Sequence, residues 1–491
     1  MVNLNNEKKV VTRFAPSPTG FMHIGGVRTA LFAFLYARQF GGKFILRIED
    51  TDKKREIAGS IQHIEKSLAW LQINWDYGPN KPGPFGSCIQ SERLPIYLKY
   101  ANQLIEKGLA YPDPYSEEEI ADFKNLAERE KRPFLFRDHR PTKFEIWDGR
   151  KPLRLLVPEI KRYTWHSAVR GELSAGENAL DDIILIKSDG YPTYNFAHIV
   201  DDFEMGVTHI MRADEFISSM PKFLSIYDAL EISYPVFVTL PPILRDDKTK
   251  KLGKRDGAKD ILDYQSDGFL PETIVNFLAL IGWNPGTEQE IFSMTELISA
   301  FSLEKIQKAG AVFNEEKLHW MNKQHLNQLS LAEFTTYLTA TLPDDVKSKI
   351  TAKPETFERL LPTLRERIEW RHQFIDAVRA GEYDFAFSTP KYETSILKWK
   401  KDLKIAVVAP RLMEAEKLLQ NADFSSLEAI KTSLWSYAET VGKGELLWPL
   451  RVALSGQEQS PDPFTIAYII GKKETLARIK IGYDKILGNA V

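Results

Sequence analysis

Cysteine is nearly missing from this chain: Cys88 is the one thiol in 491 residues. A lone thiol excludes an internal disulfide and makes a metal site built from several thiolates implausible. Long apolar runs are missing too. No segment offers the roughly twenty apolar residues that cross a bilayer, and Met1-Val2-Asn3-Leu4-Asn5-Asn6-Glu7-Lys8-Lys9 has no apolar stretch for a secretory signal. These absences point to a cytoplasmic protein with no membrane partner. A charge excess is also absent, with 65 Lys and Arg against 67 Asp and Glu and a net charge of −2. Proteins that hold nucleic acid through its phosphates usually carry a clear positive excess. Composition therefore suggests no polyanion partner, and any such partner requires basic residues gathered on one face. There is no fixed-period repeat and no low-complexity tract. What remains is ordinary globular composition, 43% apolar and 27% charged. The chain is too long for one core, which predicts three or more domains.

The most informative stretch is Arg13-Phe14-Ala15-Pro16-Ser17-Pro18-Thr19-Gly20-Phe21-Met22-His23-Ile24-Gly25-Gly26. Val10-Val11-Thr12 before it reads as a short buried strand. Val27 to Arg38 after it lacks Gly and Pro, reads as a helix, and stops at Gly41-Gly42. Strand, Pro/Gly-rich loop and helix is an arrangement in which backbone N–H groups at a helix start can hold phosphate. His23 at the turn adds a hydrogen-bonding group, although taken alone it also reads as a structural histidine. No Gly-Lys-Ser/Thr follows and no Gly-x-Gly-x-x-Gly is present, so this is neither a Walker loop nor a dinucleotide fingerprint. A second segment, Lys250-Lys251-Leu252-Gly253-Lys254-Arg255-Asp256-Gly257, follows the apolar run Pro235 to Leu240. Lysines flanking a small residue suit a loop that neutralises a triphosphate as pyrophosphate leaves. In isolation the same run reads as a solvated loop.

Together the two segments resemble the HIGH and KMSKS signatures of class I aminoacyl-tRNA synthetases. His-Ile-Gly-Gly, Lys-Leu-x-Lys-Arg, the Pro-Ser-Pro-Thr-Gly lead-in and Arg47-Ile48-Glu49-Asp50-Thr51-Asp52 resemble the bacterial glutamyl-tRNA synthetase family. The resemblance extends through Ser188 to Tyr194, Val200-Asp201-Asp202 and Trp448 to Gly456, and so covers essentially the whole chain. It implies ATP-dependent attachment of L-glutamate to tRNA(Glu) in two steps, through a glutamyl-adenylate, with Mg2+ arriving with ATP.

Amino-acid activation of this kind needs a phosphate cradle, a cation over the departing pyrophosphate and a specific side-chain pocket, but no protein nucleophile. The cradle falls to His23 with Gly25 and Gly26, joined on the nucleotide side by Pro16, Ser17, Thr19 and Gly20. Lys254 is the candidate cation, with Lys251 assisting. Arginine grips a carboxylate through two parallel hydrogen bonds and so prefers an acid to its amide. By resemblance Arg13 takes that role, Ala15 and Ser17 line the same loop, and Glu49 meets the ammonium. Tyr194 and Arg212 fall where the family places its remaining contacts. Arg212 can equally be a plain surface ion pair, and Asp50, Thr51 or Asp52 can be a helix cap.

The first half alternates strand-like and helix-like segments, as a doubly wound parallel α/β sheet does. The Rossmann-like catalytic domain is expected over 1–90 and 189–245, with its sheet resuming near Ile183-Ile184-Leu185-Ile186-Lys187. An inserted α+β domain, comparable to the family's connective peptide, is expected over 91–188. Ile57, Ile61, Ile64, Leu68 and Leu71 recur at helical spacing, as do Ile274, Phe277, Leu278 and Ile281. A stem-contact domain over 246–330 begins with the lysine segment. An all-α anticodon-binding region over 331–491 is interrupted at Pro362, Pro390 and Pro410. There Arg365, Arg367, Trp370 and Arg371, and then Trp399, Lys400 and Lys401, interleave aromatics with cations. That pattern suits stacking on unpaired bases, and it equally describes a charged helix face over a buried tryptophan.

Three departures from the family stand out. Gly253 replaces the usual serine of the lysine motif, and His198 stands where many relatives have asparagine beside the substrate. Where some relatives hold zinc with cysteines, Ala110-Tyr111 is followed by Pro112-Asp113-Pro114-Tyr115, which implies no zinc. A monomer is expected. Glutamine-charging or non-discriminating enzymes, a base-modifying paralogue and a small nucleotidyltransferase are the enzymatic alternatives. A non-catalytic tRNA-binding paralogue is the alternative from another class. Replacing Lys254 with Ala is expected to lower kcat by about a hundredfold or more, because its charge matters most as pyrophosphate separates. An unchanged turnover number removes Lys254 from the mechanism.

Overall fold

The structure, a computed structural model, describes residues 9–245, 251–252 and 259–488. The chain forms two compact units, Met1–Met321 and Asn322–Val491. The first unit opens with β1 (Val11–Phe14), α1 (Ile24–Gln39), β2 (Lys43–Leu46) and α2 (Ser60–Trp70). Next come α3 (Leu94–Glu106), β3 (Ala110–Pro112), α4 (Glu117–Arg129), β4 (Leu153–Leu155), β5 (Tyr163–Ser167), β6 (Gly171–Ala175) and β7 (Ile184–Ile186). They are followed by α5 (Tyr194–Glu204), β8 (His209–Ala213), α6 (Met220–Leu230), β9 (Val236–Leu240) and β10 (Ile243–Leu244). After the lysine segment stand α7 (Ile261–Asp267), α8 (Pro271–Leu280), α9 (Met294–Ala300), β11 (Ala311–Val312) and α10 (Glu315–Gln328).

Strands β1, β2 and β9 are buried at successive rather than alternate positions after their first residue, the signature of a helix-covered parallel sheet. The main sheet has the order β2-β1-β8-β9-β5-β6. Its pairs are parallel except the terminal β5–β6 hairpin, with Val11 opposite Lys43 and Ile210 opposite Phe237. Helix α1 is buried nearly all round, from Val27 through Ala30, Leu31 and Phe32 to Ala37. It is covered by β1 on one side and by α8 and α9 on another.

The two-sheet arrangement corrects the sequence-based expectation in two places. Ile184–Ile186 does not resume the main sheet; it pairs antiparallel with β4 in a separate sheet of order β3-β4-β7. Conversely, β5 lies inside the predicted insertion yet joins the main sheet, parallel to β9 through Ser167 and Phe237. Short β runs carry an alternation but no label for the sheet they will join. In α2 the buried face is Ile64 and Leu68, continued by Leu71, whereas Ile57 precedes the helix and is exposed. Helix α8 has no single apolar face, because everything from Thr273 to Ala279 is buried.

Among the described residues of Asn322–Val491, every regular segment is helical. Pro362 does not end its helix: it lies inside Pro354–Arg367, flanked by buried Leu360, Leu361 and Leu364. Pro410 sits in the first turn of Val408–Gln420, where a missing N–H costs little. The long segment Pro463–Leu487 breaks at Gly471, whose φ is +80°. A Cβ there would approach Arg359 Nη1 to 2.8 Å. Gly471→Ala is therefore expected to destabilise the second unit by about 1–2 kcal/mol in denaturant unfolding, the usual penalty for a side chain in left-handed backbone. An unchanged midpoint would contradict that geometry.

Candidate active site

The hydrogen-bond ladder between β1 and β2 runs on past both strand ends. Arg47 N donates to Phe14 O at 2.9 Å and Glu49 N to Pro16 O at 3.0 Å. This carries Arg13 and Glu49 to the carboxyl edge of the sheet, where open α/β sheets hold their ligands. At that edge α1 begins. His23 caps it, with Nδ1 accepting from Gly25 N at 3.1 Å. A neutral ring accepting at Nδ1 carries its proton on Nε2, which makes that nitrogen a donor. The amide of Gly25 is thus committed to His23 rather than presented as an anion donor. A Cβ on Gly25 would meet His23 Cε1 at 3.0 Å, so glycine lets the ring fold back over the helix start.

These elements frame a cavity of about 450 Å³ lined by Arg13, Ala15, His23, Gly25, Gly26, Glu49, Tyr194, Arg212 and Lys251, among others. Residues up to 239 positions apart in sequence (13 to 252) meet there. Lys251 pairs with Glu215 and lies 3.8 Å from Asp214. Lys254 and Gly253 lie outside the described residues. Ser17 and Thr19 line a second cavity of about 860 Å³, which shares Glu49 and Tyr194 with the first and carries Lys53, Lys54, Arg55 and Lys187. Pro16 and Gly20 line neither cavity.

The charged wall of the first cavity is one connected cluster. Arg13 Nε donates to Asp202 Oδ1 at 3.0 Å, and Arg47 Nη1 donates to the same oxygen at 2.7 Å. Arg47 Nη2 reaches Glu49 Oε1 at 3.1 Å, and Arg212 Nη2 stands 3.9 Å from Asp202 Oδ2. Burial alone would raise the Asp202 pKa, but Arg13, Arg47 and Arg212 hold it well below the usual carboxylate range. Glu49 goes the other way: burial raises its pKa, and Arg47, Arg13 and Arg212 only partly offset this. The Arg212 guanidinium lies between the rings of Phe216 and Phe223, at 5.4 and 5.1 Å from their centroids. Its fork makes no hydrogen bond of 3.5 Å or less to the described residues. Arg13, in contrast, is already gripped by Asp202.

His198 is not on the cavity surface. It stands one helical turn below Tyr194 on the same face of α5, and its ring stacks on that tyrosine at 4.8 Å. Nδ1 donates to Tyr194 O at 2.7 Å, and Phe223 packs edge-on at 4.6 Å. Burial, with Arg212 nearby, lowers its pKa well below the ordinary 6.5. The expected glutamate contact therefore stands behind Tyr194 in this structure and supports that ring.

Sequence reasoning missed Asp202, Arg47 and Arg28. A signal existed: two adjacent acids in the apolar helix Ile199-Val200-Asp201-Asp202-Phe203, and an arginine directly after a buried strand, demand buried partners. Arg28 lines the cavity, donates to Pro241 O and to Ile281 O (3.2 Å), and is lowered by burial to about 10. It ties α1 to the turn between β9 and β10. In the insertion, Asp113 pairs with Arg154 at 2.7 Å and Tyr115 donates its hydroxyl to His139 O, so both side chains are engaged in protein contacts. Among the described residues no group of three His, Cys, Asp or Glu side chains could hold a metal, and no helix is long and apolar enough to cross a membrane.

In the second unit, Arg365 Nη2 donates to the carbonyls of Asn327 and Leu329, so its fork serves the fold. Arg367 is exposed and lines two shallow cavities of about 440 and 800 Å³. Trp370 caps the helix Arg371–Arg379, and Arg371 lies over the Tyr337 ring. Trp399 packs on Trp448 at 5.3 Å with Lys400 over its ring.

Residues 9–320 match the family model described as tRNA synthetases class I (E and Q), catalytic domain, and residues 323–483 match the anticodon binding domain. The chain is 40% identical to the glutamate–tRNA ligase of Clostridium botulinum strain Hall, covering 97% of this chain and 99% of that protein. The glutamate–tRNA ligase of Clostridium kluyveri is also 40% identical, over 97% of this chain and 98% of its own. A glutamate tRNA ligase from Elizabethkingia meningosepticum, solved in complex with its amino acid, superposes with a TM-score of 0.85 at 32% identity, covering 97% and 99% of the two chains.

The buried neutral state of His198 makes stability depend on pH. Its folded pKa lies below the unfolded 6.5, so this contribution is present above pH 6.5 and is lost as pH falls below it. The slope it can add is about 1.4 kcal/mol per pH unit. His198→Asn is expected to flatten unfolding free energy between pH 6.5 and 5.5 relative to the parent. Parallel curves would show that the histidine titrates normally.

Proposed function

The chain belongs to the class I tRNA synthetases for glutamate and glutamine, and we propose that it joins L-glutamate to tRNA(Glu) with cleavage of ATP. One observation supports this reading most strongly. The arginine-lined pocket and the His23 helix start are walls of a single cavity, so a side-chain carboxylate and a phosphate can lie within one small molecule's length of each other. The glutamate side chain enters toward Arg212, with Arg13 beside it, and the α-ammonium turns to Glu49. Ala15, Ser17 and Tyr194 bound the amino acid. The α-carboxylate then attacks the α-phosphorus of ATP, and the P–O bond to pyrophosphate breaks as the acyl–phosphate bond forms. His23, through Nε2–H, steadies the phosphate oxygens, while Lys251 and Lys254 neutralise the departing pyrophosphate. We assign Mg2+ to the phosphates of ATP and no zinc to the protein. In the second step a ribose hydroxyl at the tRNA 3′ end attacks the acyl carbon and AMP leaves.

The larger cavity is the approach we assign to that 3′ end, because it opens onto Glu49 and Tyr194 and carries Lys53, Lys54, Arg55 and Lys187. The helical region over 331–491 takes the anticodon, with exposed Arg367 the foremost contact and Trp370 and Arg371 beside it; Arg365 contributes mainly to the fold. A non-catalytic tRNA-binding paralogue is disfavoured, since it would have no use for Arg13, His23, Glu49 and Lys251 around one cavity.

Aminoacylation assays with purified tRNAs test this reading. Glutamate should be charged onto tRNA(Glu), and Arg212→Ala should raise the glutamate KM roughly 10- to 150-fold, the loss of charged hydrogen bonds, with the ATP KM little changed. Failure of the parent to charge glutamate, or an unaltered KM in the variant, contradicts the assignment.

A further inference from the structure

Asp201 and Asp202 are adjacent on α5 and so point about 100° apart. Asp201 faces the start of the insertion, accepting from Gln90 Nε2, Arg93 Nε and Tyr97 Oη, each at 2.8 Å. Asp202 faces the cavity wall. Its two oxygens accept from Arg13 Nε (3.0 Å) and Nη2 (3.5 Å) and from Arg47 Nη1 (2.7 Å), and Arg212 Nη2 stands 3.9 Å away. Arg47 in turn holds Glu49 at 3.1 Å and lies 3.8 Å from Asp201. Among the charged residues assigned to the amino acid, Arg13 and Arg212 converge on Asp202, and Glu49 is joined to them through Arg47, which Asp202 holds.

The contacts link four guanidiniums (Arg13, Arg47, Arg93 and Arg212) with three carboxylates (Glu49, Asp201 and Asp202), which leaves one positive charge in excess. All seven side chains are nearly removed from water, with Arg212 the most exposed at 11%. In such surroundings an unbalanced charge is expensive and attracts one counter-charge. We propose that Asp202 is the positioning residue of the amino-acid pocket: it fixes Arg13 and Arg47, faces Arg212, and so holds the guanidiniums where a side-chain carboxylate, and not its amide, meets them. This rests on the reading of the cavity as a glutamate pocket.

The test is a double-mutant cycle in aminoacylation on the full chain, with glutamate and ATP each varied. Asp202→Asn leaves Arg13 and Arg47 without the carboxylate that fixes them, so despite the added positive charge it should raise the glutamate KM 10- to 100-fold and lower the preference for glutamate over glutamine at least tenfold, while the ATP KM stays within about twofold. Its effect combined with Arg13→Ala should fall well short of the product of the two single effects, because Asp202 acts partly through Arg13. A purely structural role would instead lower the melting temperature and both amino acids' kcat/KM together. If the Asn variant does not fold, Asp202→Glu carries the test: it keeps the charge, displaces the carboxylate by one methylene, and should still raise the glutamate KM selectively. A glutamate KM equal to the parent's in a folded variant, multiplicative effects, or an equal rise in the ATP KM overturns the proposal. A parent that does not select glutamate over glutamine overturns the pocket reading itself, independently of Asp202.

Discussion

Charge cannot be buried without a partner, and this site is organised around that constraint. Arg13, Arg47 and Asp202 are all at most 4% exposed along their side chains, and the carboxylate serves both guanidiniums. Isolated, any one of them would cost several kcal/mol to remove from water. Their mutual pairing ties the end of β1, the end of β2 and the inner face of α5 to one point. The cavity proposed to hold the amino acid lies in front of that point. Arg212 comes to it from β8, the strand beside β1, and Glu49 is drawn in through Arg47.

The opposite wall depends on a smaller device. A histidine at the start of α1 folds its ring back onto the second amide of the helix, and Gly25 leaves room for it. The ring is then fixed with its remaining nitrogen as a donor at the positive end of a 16-residue helix. Arg28, one turn on, braces the same helix against the turn that leads toward Lys251. The residues proposed to meet carboxylate and phosphate are therefore carried largely by neighbouring strand ends and the start of one helix.

Much of this was legible before any coordinates. The strand, Pro/Gly loop and helix over residues 10–39 could be read from local pattern, because turn residues and unbroken helix formers act over a few positions. Arg13 pairing with Asp202 could not, since it spans 189 residues and depends on which strands become neighbours. The same holds for β5 and β7, short segments whose local pattern does not say which sheet they join. His198 shows a subtler limit. Spacing put it on the same face of α5 as Tyr194, but the same face one turn deeper is behind the tyrosine, not on the cavity wall. Pro362 shows that apolar burial on either side can hold a helix through a residue that would end it in isolation.

Charge matching is the central claim, and equilibrium binding measures it without the chemistry. Glutamate and glutamine should be titrated into the unmodified protein by calorimetry, in the presence of a non-hydrolysable ATP analogue. A pocket walled by buried guanidiniums predicts glutamate binding at least a hundredfold tighter than glutamine, a difference of about 2.7 kcal/mol. Glutamine binding within tenfold of glutamate would contradict it.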